Sequence, residues 1–305
     1  MKKLKILTLL SLSLLFLSSC SFPGLASNDS EDTIGITGGI TSETQILASI
    51  VSGMIKHYTD LDTTIINNLA TTTINHQAMM NQDASISAAR YTGTDLTTTL
   101  GLPAEKDPKK AFNIVKNEFE KRYNQTWFAS YGFDNTYVFL VRKETAEKYN
   151  LKKVSDLKEH ADELSAGVDT AWITREGDGY DGFKETYDFE FSSILPMQIG
   201  LVYDAVNAGK MDIVLGYSTD GRIASYDLVM LEDDLSFFPP YDAAPIASDK
   251  ALKENPKIQT ALKRLAGTIN TREMQKLNYR ADNDLVEPSV IAEDFLKQHN
   301  YFEEE

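Results

Sequence analysis

Residues 197–221 read MQIGLVYDAVNAGKMDIVLGYSTDG, a helix, a stop, a strand and a polar strand end in one run. The first part reads as a helix closed by Gly209, because glycine just past a helix takes the left-handed conformation that ends it. Ile213-Val214-Leu215 then reads as a strand, followed by Gly216 and by Tyr217 among small polar residues. Tyr217 either closes off a core or holds its ring out to bind something.

Working outward, the same alternation recurs. Upstream lie a strand in TYVFLVRK, helices at Lys143–Tyr149 and Val154–Leu164, a short strand in SAGVDTAW, and a loop into a helix in DGYDGFKETY. Further back, the stretch from Thr33 reads β-α-β-α-β. Its first helix carries Ile46, Leu47, Ile50, Val51, Met54, Ile55 and Tyr58 at helical spacing. Ser42 is the expected N-cap and Gln45 its capping-box partner. Another amphipathic helix begins at Asp107 with Pro108 in its first position. Downstream, FFPPYDAAPIASDKAL runs into helices with no further strong strand. Strands alternating with helices predict open, mostly parallel sheets, in two α/β halves with a cleft. In such sheets ligands bind beyond the carboxyl ends of the strands.

The N-terminus fixes the compartment. Lys2, Lys3 and Lys5 precede an apolar stretch too short to span a bilayer, and Leu17-Ser18-Ser19-Cys20 follows. Cys20 is the only cysteine, so no internal disulfide or thiolate metal site is expected. The pattern resembles bacterial lipoprotein processing: residues 1–19 as a signal peptide, Cys20 acylated, and residues 20–32 as a flexible tether to the membrane. The formal charge of −15 becomes more negative by three once those lysines leave, which argues against a nucleic-acid partner. The four histidines are scattered, and no H-E-x-x-H or G-x-S-x-G pattern is present. DGYDG lacks the spacing and closing glutamate of a calcium loop. Neither catalysis, a metal nor a cofactor is expected.

Three strand ends carry tyrosine beside small polar residues: Tyr91 before Thr92-Gly93-Thr94, Tyr137 after Asn135, and Tyr217 before Ser218-Thr219. Tyr241 follows two prolines. Any one of the 14 tyrosines is ordinarily a packing residue with its hydroxyl hydrogen-bonded.

RYTGT, YGFDNTYVFLVRK, MQIGLVYDAVNAGKMDIVLGYSTDGRI, FFPPYDAAP and MQKLNYRADNDLVEPSVIAEDFL together resemble the substrate-binding lipoproteins of osmoprotectant ABC transporters, which import glycine betaine, carnitine and choline. The resemblance runs from about Thr33 to Phe302. It implies an α/β, two-lobed periplasmic-binding-protein-like (type II) fold with a hinged ligand cleft. Residues 33–130 and 236–305 would form one lobe and 131–235 the other. It further implies a cage of Tyr91, Tyr137, Tyr217 and Tyr241, and partnership with a permease and its ATPase; a monomer is expected. A quaternary ammonium has no N–H to donate, so aromatic faces select it instead. A ligand carboxylate needs donors, for which Thr94 and Asn135 are the candidates. The relatives' amide side chain in the first strand–helix loop is replaced here by Gly38 and Gly39. Two other readings stay open: a binding lipoprotein for another solute such as an amino acid, and a surface lipoprotein with no transport role.

Overall fold

The computed structural model describes residues 33–175 and 178–303; the expected leader, tether and Cys20 lie outside them. Of Met1–Thr33 only Thr33 is described, and Ile34–Glu305 forms one compact unit. That unit contains two five-stranded sheets. The first combines β1 (Thr33–Thr37), β2 (Asp62–Ile66), β3 (Ile86–Tyr91), β4 (Gln125–Trp127) and β10 (Ala243–Ser248) in the order β2-β1-β3-β10-β4. The second combines β5 (Tyr137–Arg142), β6 (Ser165–Asp169), β7 (Ser193–Met197), β8 (Ile213–Tyr217) and β9 (Leu228–Met230) in the order β7-β6-β8-β5-β9. The chain passes between the sheets twice, and the two passages pair at an isolated Asp134–Asp242 bridge.

Both sheets are mixed rather than mostly parallel. In the first, β1 and β3 are parallel while β10 runs antiparallel to β3 and β4. In the second, β6 is parallel to β7 and β8, and β5 is antiparallel to β8 and β9. Each sheet is buried on both faces, which explains unbroken apolar runs such as Ile213-Val214-Leu215. Ile213 and Leu215 enter an aromatic core with Phe139, Trp172 and Phe183, whereas Val214 packs with Leu140, Val202 and Tyr203.

Three further sequence expectations need correction. The Ser42–Tyr58 helix is capped by Thr41, whose hydroxyl accepts the Thr44 N–H, so Ser42 is its first residue and the Ser42/Gln45 capping box does not form. The downstream region does contain a strand, β10, in the interior of the first sheet. Its alanines face both sides, Ala243 and Ala247 toward one core and Ala244 toward the other, so it neither alternates nor carries the usual branched residues. Its register shifts between Ala244 and Ile246, around Pro245, as a bulge that accommodates the missing N–H. The segment preceding the Ile199–Asn207 helix is also a strand, β7, which pairs on one side only and there tolerates Pro196. Asp107 does cap the Pro108–Tyr123 helix, accepting the Lys110 N–H at 3.0 Å.

Candidate functional site

Strand pairing brings two of the four tyrosines face to face. The β5/β8 register sets Tyr137 directly opposite Tyr217, with ring centroids 5.0 Å apart and planes inclined by 35°. Tyr137 is buried, whereas Tyr217 keeps 36% of its surface exposed. The Tyr137 hydroxyl donates to Asp169 Oδ2 at 3.0 Å, across the end of the same sheet. Burial, then the neighbouring Tyr217 hydroxyl, raises the Tyr137 pKa, so this phenol stays protonated and able to donate.

The glycine before Tyr217 has a specific neighbour. The Tyr203 ring packs where a Gly216 side chain would be, 2.7–2.9 Å from the position of a Cβ. The Tyr203 hydroxyl then accepts the Tyr217 backbone N–H at 2.7 Å, fixing the strand end that carries the exposed ring. Gly216→Ala is expected to cost roughly 1–3 kcal/mol by overpacking. Urea unfolding checks this, and a loss below about 0.5 kcal/mol would mean that Tyr203 moves aside freely.

Tyr91 and Tyr241 are joined through a polar network. The Tyr91 hydroxyl donates to Glu43 Oε1 at 2.6 Å, and Asn135 Nδ2 donates to the same oxygen at 2.9 Å. The Asn135 N–H donates to the Tyr241 carbonyl at 3.2 Å. Asn135 Oδ1 is buried and, among the described residues, has no hydrogen-bond partner. Burial, then the Glu43 charge, holds the Tyr91 hydroxyl well above the ordinary phenol range. Tyr241 accepts from Arg175 Nη2 at 2.7 Å, and burial pushes its hydroxyl up to about 12. Its N–H donates to Asp134 Oδ1 at 2.7 Å, and burial raises that carboxyl to about 7. Gly93 lies flat against the Tyr241 ring, where a Cβ would stand 3.2 Å from a ring carbon and 2.5 Å from the Pro240 carbonyl.

Arg175 links this group to the tyrosine pair. Its Cζ lies 5.8 Å from the centre of the Tyr137 ring, and its Nε pairs with Asp178 Oδ1 at 2.7 Å. Asp178, read in sequence as part of a defective calcium loop, thus serves as an ion-pair partner. Among the described residues no ring contact joins Tyr91 or Tyr241 to the Tyr137–Tyr217 pair. Thr94 ends the short Thr92–Thr94 helix half-buried, and among the described residues its hydroxyl has no hydrogen-bond partner. Gly38 and Gly39 are tightly enclosed: a Cβ would lie 2.6 Å from Asn67 Oδ1 at Gly38 and 2.5 Å from Thr44 Oγ1 at Gly39. With Tyr91 they line a cavity of about 130 Å³. Gln45 reaches back to the Gly39 carbonyl at 3.5 Å.

The Thr271–Asp282 helix holds the Tyr217 turn from outside. Gln275 Nε2 donates to the Ser218 carbonyl at 2.7 Å, and Asn278 Nδ2 to that of Thr219 at 2.9 Å. Asn278 Nδ2 also reaches Glu43 Oε2 at 3.3 Å. Sequence reading missed Glu43, Asp169, Arg175 and Tyr203. Glu43 resembles any first-turn acid, and the others carry no local pattern. Their roles arise from contacts distant in sequence.

Residues 32–298 match the family described as the substrate-binding domain of ABC-type glycine betaine transport systems. The carnitine transport binding protein OpuCC of Listeria monocytogenes is 56% identical over 295 residues, covering 97% of this chain and 96% of that protein. The ergothioneine transport permease/ergothioneine binding protein EgtU of Helicobacter pylori is 32% identical over 85% of this chain and 46% of its own length. A crystal structure described as a glycine betaine/carnitine/choline ABC transporter superposes with a TM-score of 0.86 at 51% identity, covering 88% of this chain and all of that one.

Proposed function

Because the chain belongs to the OpuAC family of substrate-binding domains of ABC-type glycine betaine transport systems, which are binding components and not enzymes, we propose that it captures a quaternary ammonium solute between Tyr91, Tyr137, Tyr217 and Tyr241 and delivers it to a permease driven by an ATPase. The observation that carries this reading is the Tyr137–Tyr217 pair: two rings set opposite each other at a strand end, one still open to solvent. Each desolvated ring contributes roughly 0.5–2 kcal/mol to a bound cation. Four rings then supply a large part of the roughly 8 kcal/mol that micromolar affinity requires. The rings belong to different sheets, Tyr91 to the first and Tyr137 and Tyr217 to the second. Lobes of residues 33–130 with 236–305 and of 131–235 close on the solute, because only closure completes the cage. The Thr94 hydroxyl, the Asn135 amide and the Arg175 guanidinium face the carboxylate of a zwitterionic solute. Acylated Cys20 keeps the domain outside the cytoplasm at the membrane face, near its permease.

Calorimetric titration with glycine betaine, carnitine, choline, proline betaine, ergothioneine and proline tests the reading. The trimethylated or dimethylated compounds are expected to bind and proline, whose nitrogen keeps its N–H groups, to bind far more weakly. Absence of heat with every quaternary amine would favour a surface lipoprotein with no transport role, and preference for proline an amino-acid binder. Thr94→Asp is expected to weaken glycine betaine about tenfold or more while sparing choline, since the new carboxylate repels only a ligand that carries one. Equal losses for both would remove Thr94 from the site.

A further inference from the structure

Two of the tyrosines in the proposed cage rest on buried carboxylates that, among the described residues, have no cation partner. Glu43, 4% exposed, receives the Tyr91 hydroxyl and the Asn135 and Asn278 amides. Asp169, 9% exposed, receives the Tyr137 hydroxyl. Among the described residues neither carboxylate pairs with Lys, Arg or His. The third case is built differently: the carboxylate beside Tyr241 belongs to Asp178, which Arg175 neutralises at 2.7 Å. The fold also supplies a direct internal comparison, since the equally buried Asp95 is paired with Arg90.

Burying a carboxylate is costly unless a counter-charge or strong donors compensate it. Neutral hydroxyl and amide donors satisfy the lone pairs of Glu43, and its place in the first turn of the Ser42–Tyr58 helix adds the favourable end of the helix dipole. None of these neutralises its charge. Both carboxylates lie one hydroxyl behind rings that come from different sheets. A phenol that donates to a carboxylate also gains electron density, which deepens the negative face that attracts a cation.

Resting on the tyrosine-cage reading, we infer that Glu43 and Asp169 are the counter-charges of the bound ammonium and determine the preference for a cation over a neutral group of the same shape. Asn278 ties the two sides of the site together, since the amide that donates to Glu43 also donates to the Thr219 carbonyl two residues beyond Tyr217. A carboxylate about 10 Å from the ammonium at an effective dielectric of about 20 changes affinity on the order of tenfold. Neither residue need touch the ligand for this effect, which sets it apart from the rings themselves.

The test compares glycine betaine with 3,3-dimethylbutanoate, in which carbon replaces the ammonium nitrogen while shape and carboxylate are retained. Binding of both is measured by calorimetry and by competition in the wild type and in Glu43→Gln and Asp169→Asn, with thermal melting as the folding control. In each variant glycine betaine is expected to weaken about tenfold, while the carbon isostere binds unchanged or more tightly. The ratio of the two affinities therefore falls about tenfold. A role confined to positioning the tyrosines would weaken both ligands alike and leave the ratio unchanged, which overturns the inference; so does a glycine betaine affinity within about twofold of wild type in both variants. Asp169→Asn, where among the described residues one hydroxyl is the side-chain partner, carries the test if Glu43→Gln unfolds. A wild-type protein that binds none of glycine betaine, carnitine and choline overturns the tyrosine cage itself, a result distinct from an unchanged ratio.

Discussion

Tyr217→Ala is expected to weaken glycine betaine binding by about 10- to 30-fold while leaving the folded state within about 1 kcal/mol of wild type. The two numbers separate because of where the ring sits. Its side chain is part-exposed, so truncation loses little buried area. The backbone that carries it is held independently, by the Tyr203 hydroxyl at 2.7 Å and by the Gln275 and Asn278 amides on the next two carbonyls. On the proposed cage, what is lost is one ring contact to the ammonium, worth up to roughly 2 kcal/mol when desolvated, or about 30-fold in affinity. Calorimetry and urea unfolding of the same preparation measure the two quantities. If the variant unfolds and its folded fraction binds normally, Tyr217 is a packing residue.

Arg90→Met is expected to destabilise the domain by about 3–5 kcal/mol, the largest loss anticipated from any single change considered. Arg90 and Asp95 are both fully buried, with Arg90 Nε donating to Asp95 Oδ2 at 2.9 Å and Nη2 donating to Oδ1. Thr99 Oγ1 donates to the same carboxylate at 2.6 Å. Removing the guanidinium strands a buried charge, and that penalty outweighs the modest net worth of the pair itself. The double variant Arg90→Met with Asp95→Leu is therefore expected to recover much of the loss. Urea midpoints read out both proteins; a single-variant loss below about 1 kcal/mol would show that the carboxylate finds water or another partner. The pair also anchors the turn bearing Thr94, immediately before Asp95, so its loss is expected to loosen one side of the proposed site.

Much of the second sheet was legible because its strands are both long enough and apolar enough to stand out. Val138–Val141 and Ile213–Leu215 are continuous apolar runs, and both lie in strands. β10 was not legible. Alanine and proline carry little strand preference, and the segment is buried by what surrounds it rather than by its own size. β7 failed for a related reason: Pro196 argues against a strand unless one edge is unpaired, which only the sheet order reveals. The N-cap was displaced by one residue because Thr41 and Ser42 are both good caps, and dihedral angles decide between them.

The proposed tyrosines stand out in the sequence because strand ends are where open sheets present residues, and Tyr91 and Tyr217 each stand at one. Sequence alone determined the α/β class, the strand that ends in Tyr217, and a chain without a cysteine pair or catalytic motif, since periodicity and residue type are local properties. Tertiary structure decided the rest. It set Tyr137 opposite Tyr217, put Tyr203 in the space that Gly216 leaves, and brought Glu43 to Tyr91, 48 residues away in the chain. A buried carboxylate is only a charge in the sequence; whether a cation neutralises it depends on which side chains the fold brings within reach.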